Sequence, residues 1–265
     1  MPELPEVEYV RRHLDKWLRN TRIDAATGAD ALVIKPKPKA LARTHGQLVK
    51  TVERRGKRLR LVLGDGLRLF SHLGMTGDWQ KVAVDAEPLR FERVRLDVSK
   101  GAKRWSVRYV DSRRLGRFEV VTDDPKSWKA LGPDVLADGI DVARWSTKLA
   151  ARKKQSIKEA LLDQTILAGV GNIQAAEALW KAGIDPRTHA RELDPKRLGA
   201  LAKGIRWTID RTLADLAKDD TRWQEGGGDF VVYGRKGEPC KRCKTPYQRI
   251  ELGGRTTTFC PGCQR

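Results

Sequence analysis

The sequence predicts an α+β chain: one N-terminal helix, a β-rich N-terminal half, a helical C-terminal part and a small cysteine module. Three observations predict it. Apolar and polar residues alternate through two stretches of the first half, the mark of half-buried strands. From about residue 153 to residue 217 the apolar period lengthens to that of a helix. All four cysteines fall between residues 240 and 265. At 265 residues the chain has room for one large domain or two modest ones.

The chain opens MPELPEVEYV, and Val7, Val10, Leu14, Trp17 and Leu18 recur at helical spacing. Pro2 suits the first helical position, and Glu3 and Glu6 suit a first turn, where acids meet the positive end of the helix dipole. The same residues admit a chemical reading. With Met1 removed, the chain starts with a secondary amine beside two carboxylates, and an amine can attack a sugar carbon to form a Schiff base. The opening by itself leaves both readings standing.

Strand signals follow. Leu59, Leu61 and Leu63 alternate with other residues, Asp65-Gly66 offers a turn, and Leu67 and Leu69 alternate again, which predicts a hairpin. Val94, Leu96 and Val98, then SKGAK, then Trp105, Val107 and Tyr109 predict a second. Residues 25–122 therefore read as a sandwich or barrel, and 123–150 as a connector. In the helical part, Gly183 and Pro186 mark a helix stop. Between two helical stretches, Gly169, Val170, Gly171 and Asn172 make a tight turn. Asn172 is placed to cap the next helix, whose exposed N–H groups suit a phosphate; on these residues alone an ordinary capped bend is the simpler reading. DDTRWQEGGGDF, rich in glycine and charge, reads as a mobile loop.

The tail reads Cys240-x2-Cys243-x16-Cys260-x2-Cys263. That spacing fits a closed, structural four-thiolate zinc site, with a redox pair as the alternative. YQRIEL and RTTTF between the pairs read as a hairpin, which could carry Arg255 to a phosphate or leave it solvated.

The chain carries 53 Lys+Arg against 34 Asp+Glu, a formal charge of +19. Basic residues are spread along it, with no polybasic tail beside an apolar anchor. Nucleic acid is therefore favoured over a membrane surface as the polyanionic partner. No apolar run reaches the ~18 residues of a membrane span, and the start lacks the apolar core of a signal peptide, so the expected place is the cytoplasm.

MPELPEVE, RRGKRL, HLGMTG, DSRRLGR, LLDQTILAGVGNI and VYGRKGEPCKRC…FCPGC together resemble the formamidopyrimidine-DNA glycosylase family, related to endonuclease VIII, from the first residue to the last. The ELPEVE form is closer to the formamidopyrimidine branch. The resemblance implies a catalytic β-sandwich with an N-terminal helix at 1–122, a linker at 123–150, a helix–two-turn–helix DNA-binding domain at 151–228 and a zinc finger at 229–265. It implies one structural Zn2+ on Cys240, Cys243, Cys260 and Cys263, and DNA held in the cleft between the two domains. The implied activity is a bifunctional one in base excision repair: glycosylase on oxidised purines, then lyase at the abasic site. Pro2 would be the nucleophile, Glu3 the acid–base group and Glu6 its support. Lys57, Asn172 and Arg255 would grip the phosphates, with His72 nearby. Met75, Arg113 and Leu115 would enter the duplex where the damaged base is flipped out. The expected partner is double-stranded DNA with a damaged base or abasic site, and a monomer suffices to clasp it.

Two residues depart from the family pattern. Leu115 stands where that branch usually has Phe, and Gln174 follows GNI where Tyr is common. Both changes bear on lesion choice and leave the nucleophile untouched. Formamidopyrimidines and 8-oxoguanine come first, oxidised pyrimidines or another lesion second. A DNA-binding protein that keeps the fold without chemistry, and a zinc-ribbon RNA-binding protein, are the rival classes.

Overall fold

The computed structural model describes residues 2–152, 154–218 and 229–265. Met1 and most of the expected mobile loop lie outside the described residues. The chain divides into two compact units. The first holds Pro2 and Glu6–Lys129; the second holds Glu3–Pro5 and the chain from Ala130 onward.

In the first unit, helix α1 (Leu4–Leu18) begins after Pro2, so Pro5 and not Pro2 occupies its first turn. Val7, Val10, Leu14 and Leu18 are buried, each worth about 1.5–3 kcal/mol of removed apolar surface; Trp17 is only half-buried. Nine strands follow: β1 (Arg22–Thr27), β2 (Ile34–Lys35), β3 (Val49–Arg55), β4 (Arg58–Leu63), β5 (Arg68–His72), β6 (Asp78–Val82), β7 (Glu92–Lys100), β8 (Lys103–Val110) and β9 (Arg117–Val121). They form two sheets, ordered β1-β7-β8-β6 and β2-β9-β5-β4-β3. Trp79 and Tyr109 from one sheet meet Phe118 of the other edge-on, at centroid distances of 5.3 and 4.7 Å, so the sheets pack as a sandwich. Both expected hairpins form: Leu61 pairs with Leu69, and Leu96 with Val107. Glu8 ties α1 to β3 through Arg54 at 3.0 Å and also meets Arg11 and Arg12 at 3.0 Å. Burial would raise its pKa, but Arg11 and Arg54 outweigh this and bring it down to about 2.

Residues 123–150 are not bare chain. They carry α2 (Lys126–Lys129), in the first unit, and α3 (Val142–Ala150), in the second. Asp141 caps α3 through the N–H groups of Ala143 and Arg144, and Trp145 and Leu149 bury its inner face. This helix is too short for its period to stand out against the charged residues around it. The second unit continues with α4 (Ile157–Leu162), α5 (Asn172–Ala182) and α6 (Pro195–Lys218). Ser156 and Glu159 form a reciprocal capping box on α4. Gly183, at φ 71°, ends α5 in the left-handed region, as the stop signal predicts. One core joins α3, α4, α5 and α6 and includes Leu4. Strands β10 (Gln248–Leu252) and β11 (Arg255–Phe259) form the tail hairpin. Among the described residues no helix is long and apolar enough to cross a membrane.

Candidate functional site

In the second unit, the start of the chain is fastened to the start of α5. Glu3 is 1% exposed, and its carboxylate accepts N–H bonds from Gly171 (3.1 Å), Ile173 (2.9 Å) and Gln174 (3.0 Å). Leu4 N–H donates to the carbonyl of Gly169 at 3.2 Å. Gly169 has φ +106°, and a Cβ there would lie 2.3 Å from Leu4 Cδ1, so only glycine permits this approach. The anion at the N-terminus of α5 is thus Glu3. Asn172 does not cap its helix, which has no side-chain cap of its own; its Nδ2 donates instead to the carbonyl of Thr256 at 2.9 Å. That bond joins α5 to β11, whose first residue, Arg255, is exposed.

Lys158 is fully buried, and its Nζ donates to the carbonyl of Asn172 at 3.1 Å. Burial lowers its pKa to about 8 despite the attraction of Glu3. Sequence reasoning passed over Lys158, because SIKEALL reads as one more lysine on a solvated helix face. Its only outward signal is its place among Ile157, Ala160 and Leu161 on the apolar side of α4. Gln174 is also buried and bonds Thr212 through its side chain at 3.2 Å.

In the first unit, Pro2 is buried and Glu6 lies in the first turn of α1. Lys57 occupies the two-residue turn from β3 to β4, after Gly56 at φ +56°. His72 ends β5; its Nδ1 accepts from Gly74 N–H at 3.1 Å, which places the ring proton on Nε2. Burial, with the positive charges of Arg58 and Lys57, lowers its pKa to about 4. The turn after His72 bears Met75, 41% exposed, and the loop before β9 bears Arg113, exposed, and Leu115, 48% exposed. The two loops are in contact: a Cβ on Gly74 would lie 2.5 Å from the Leu115 carbonyl carbon. Buried Asp111 staples them, accepting from Thr76 Oγ1 (2.5 Å), Arg113 N–H (3.2 Å) and Gly116 N–H (2.7 Å). The exposed apolar side chains of Met75 and Leu115 therefore stand on two loops that Asp111 joins at their base.

The Sγ atoms of Cys240, Cys243, Cys260 and Cys263 all lie within 4.8 Å of one another, with Cys240 to Cys263 at 3.8 Å and Cys243 to Cys260 at 3.3 Å. Zn–S bonds of about 2.3 Å in a tetrahedron set sulfurs about 3.8 Å apart. The four thiols fit one zinc ion with no position left open.

These features define a family, and sequence comparison agrees. Residues 1–118 match the formamidopyrimidine-DNA glycosylase N-terminal domain, 131–221 the formamidopyrimidine-DNA glycosylase H2TH domain, and 237–265 the zinc finger found in FPG and IleRS. The chain belongs to the formamidopyrimidine-DNA glycosylase family. It is 37% identical to the formamidopyrimidine-DNA glycosylase of Laribacter hongkongensis and 36% identical to that of Desulfitobacterium hafniense, with all of each chain covered. Among solved structures, it resembles the Lactococcus lactis enzyme bound non-covalently to DNA containing an AP site (31% identity, TM-score 0.87, all of both chains). It also resembles MutM in complex with DNA containing carbocyclic 8-oxo-G (32% identity, TM-score 0.88, all of both chains). The tail is accordingly a zinc finger that holds one structural zinc.

Proposed function

We propose that the protein is a bifunctional DNA glycosylase and abasic-site lyase of base excision repair, acting through the amine of Pro2 once Met1 is removed. One observation carries this reading: the buried Glu3 carboxylate, held by three backbone N–H groups one residue from that amine. A helix-start acid on a solvated surface needs no such cradle. A group that delivers a proton to one atom does.

The substrate is double-stranded DNA with a damaged base or an abasic site. A damaged base is extruded at a cost of a few kcal/mol. The neutral Pro2 nitrogen bonds to C1′ and yields its N–H proton to the Glu3 carboxylate, and the C1′–O4′ bond opens as Glu3 passes that proton to O4′. The base departs with the C1′–N bonding pair and takes a proton from water, which leaves an iminium between Pro2 and C1′. The iminium acidifies the C2′ proton; its removal sends the electron pair toward C3′ and expels the 3′ phosphate. A second elimination expels the 5′ phosphate and leaves a gap. Lys57, Asn172 and Arg255 hold backbone phosphates, with His72 beside them, and Glu6 supports the site from the first turn of α1. Met75, Arg113 and Leu115 fill the vacated stack, with the Arg113 guanidinium bonding the orphaned base. Formamidopyrimidines and 8-oxoguanine are the first-choice lesions; Leu115 and Gln174 are the reason to include oxidised pyrimidines in the test. The protein acts as a monomer in the bacterial cytoplasm, on the nucleoid.

The decisive experiment is borohydride trapping on duplexes that each carry one defined lesion or an abasic site, using protein whose mass shows Met1 absent. The expected result is a covalent adduct, lost in Pro2→Gly and slowed about 10²–10⁴-fold in Glu3→Gln. Tight binding with no adduct on any duplex would reduce the protein to a damage binder.

A further inference from the structure

Helix α5 ends against the first zinc knuckle. Trp180, 7% exposed, lies in the last turn of that helix, and its indole Nε1–H donates to Cys240 Sγ at 3.4 Å. The face of the same indole carries the guanidinium of Arg242, 4.0 Å from the ring centroid. Arg242 stands between Cys240 and Cys243, and it also donates to the carbonyls of Trp180 and Lys181, both at 2.8 Å. The Lys181 carbonyl belongs to the last turn, where a helix leaves carbonyls without an intrahelical donor, and the Trp180 carbonyl also accepts from Gly183 N–H at 3.1 Å. One side chain thus meets the knuckle twice, by its N–H edge on a ligand sulfur and by its face on the residue between the ligands.

We propose that Trp180 is a positioning residue of the zinc centre: its indole N–H bonds the Cys240 thiolate of the loaded site and, under Arg242, seats the first knuckle on α5. A zinc-bound thiolate keeps lone pairs that accept hydrogen bonds. An N–H aimed at one of them withdraws charge from sulfur and fixes the direction of the metal–sulfur bond. Burial favours this further, because the sulfur has little water to replace the lost donor. The opposite end of α5 bonds β11 through Asn172 and Thr256, so the helix meets the zinc finger at both of its ends. Phenylalanine would fill the space of Trp180 without the donor, which separates the hydrogen bond from packing.

The test compares wild type with Trp180→Phe, both loaded with zinc. Release of metal to a chromogenic chelator should be about tenfold faster in the variant. With cobalt in place of zinc, the sulfur-to-metal charge-transfer bands should shift. Equal release rates and unchanged bands would overturn the proposal. A second measurement needs no variant. In wild-type protein labelled with 15N-tryptophan and loaded with 113Cd, one of the eight indole N–H protons should show scalar coupling to the metal. Absence of coupling on every indole proton would overturn it as well.

Discussion

Glu3 shows how a residue near a chain start acquires a role by losing water. Its carboxylate receives three N–H groups and the field of a helix end, and Lys158 is the buried cation whose attraction it feels. If Glu3 is the acid–base group proposed above, Lys158→Met should slow Schiff-base formation by about 10²-fold, because Glu3 then loses its counter-charge. The salt dependence of DNA binding should not change, since the ammonium is buried; trapping rates and salt titrations on one preparation check both. His72 gives a pH prediction. Its pKa falls from the ordinary 6.5 to about 4 in the folded protein, so the unfolded chain binds more protons between those values. Stability is therefore full above about pH 6.5 and falls as pH drops toward 4, by on the order of 3 kcal/mol. His72→Gln should remove that part of the slope in urea unfolding. Protonation would also break the Nδ1 bond to Gly74, at the base of the turn that bears Met75.

At the scale of elements, α5 organises the second unit. Its start holds Glu3, Glu177 on its flank accepts N–H bonds from Val231, Val232 and Tyr233 at 2.8–2.9 Å, and its end holds the zinc knuckle. The approach of the chain start depends on Gly169. Gly169→Ala adds a Cβ at a positive φ against Leu4, and should destabilise the second unit by about 1–3 kcal/mol. Trapping should fall further than stability does, because the displaced residues adjoin Pro2. Thermal unfolding and adduct yield, measured together below the melting point, separate the two effects. Helix α3 was not legible: its cap at Asp141 is an ordinary turn residue in sequence, and its burial depends on α6, over forty residues later.

For the whole molecule, the +19 charge governs the partner and the conditions under which it binds. Binding to DNA should weaken steeply with salt, because each neutralised phosphate releases counterions. Arg255→Ala should lower the slope of log affinity against log salt by about 1, uniformly across sequences. The measurement is a salt titration by fluorescence anisotropy, with an abasic and an intact duplex. An unchanged slope would return Arg255 to the solvated surface.

The sequence alone determined what is local or periodic. The strand alternation, the long helices, the stop at Gly183 and the zinc tetrad each lie within a short window, where spacing is itself the geometry. Its six quoted segments also marked the family, since their order survives along the chain. The tertiary structure decided what joins distant segments: Glu3 as the anion at the start of α5, where the sequence pointed to an Asn172 cap, Lys158 as a buried cation, and the indole of Trp180 on Cys240. Desolvation and hydrogen-bond partners set these roles, and neither is a property of a residue until the chain around it has folded.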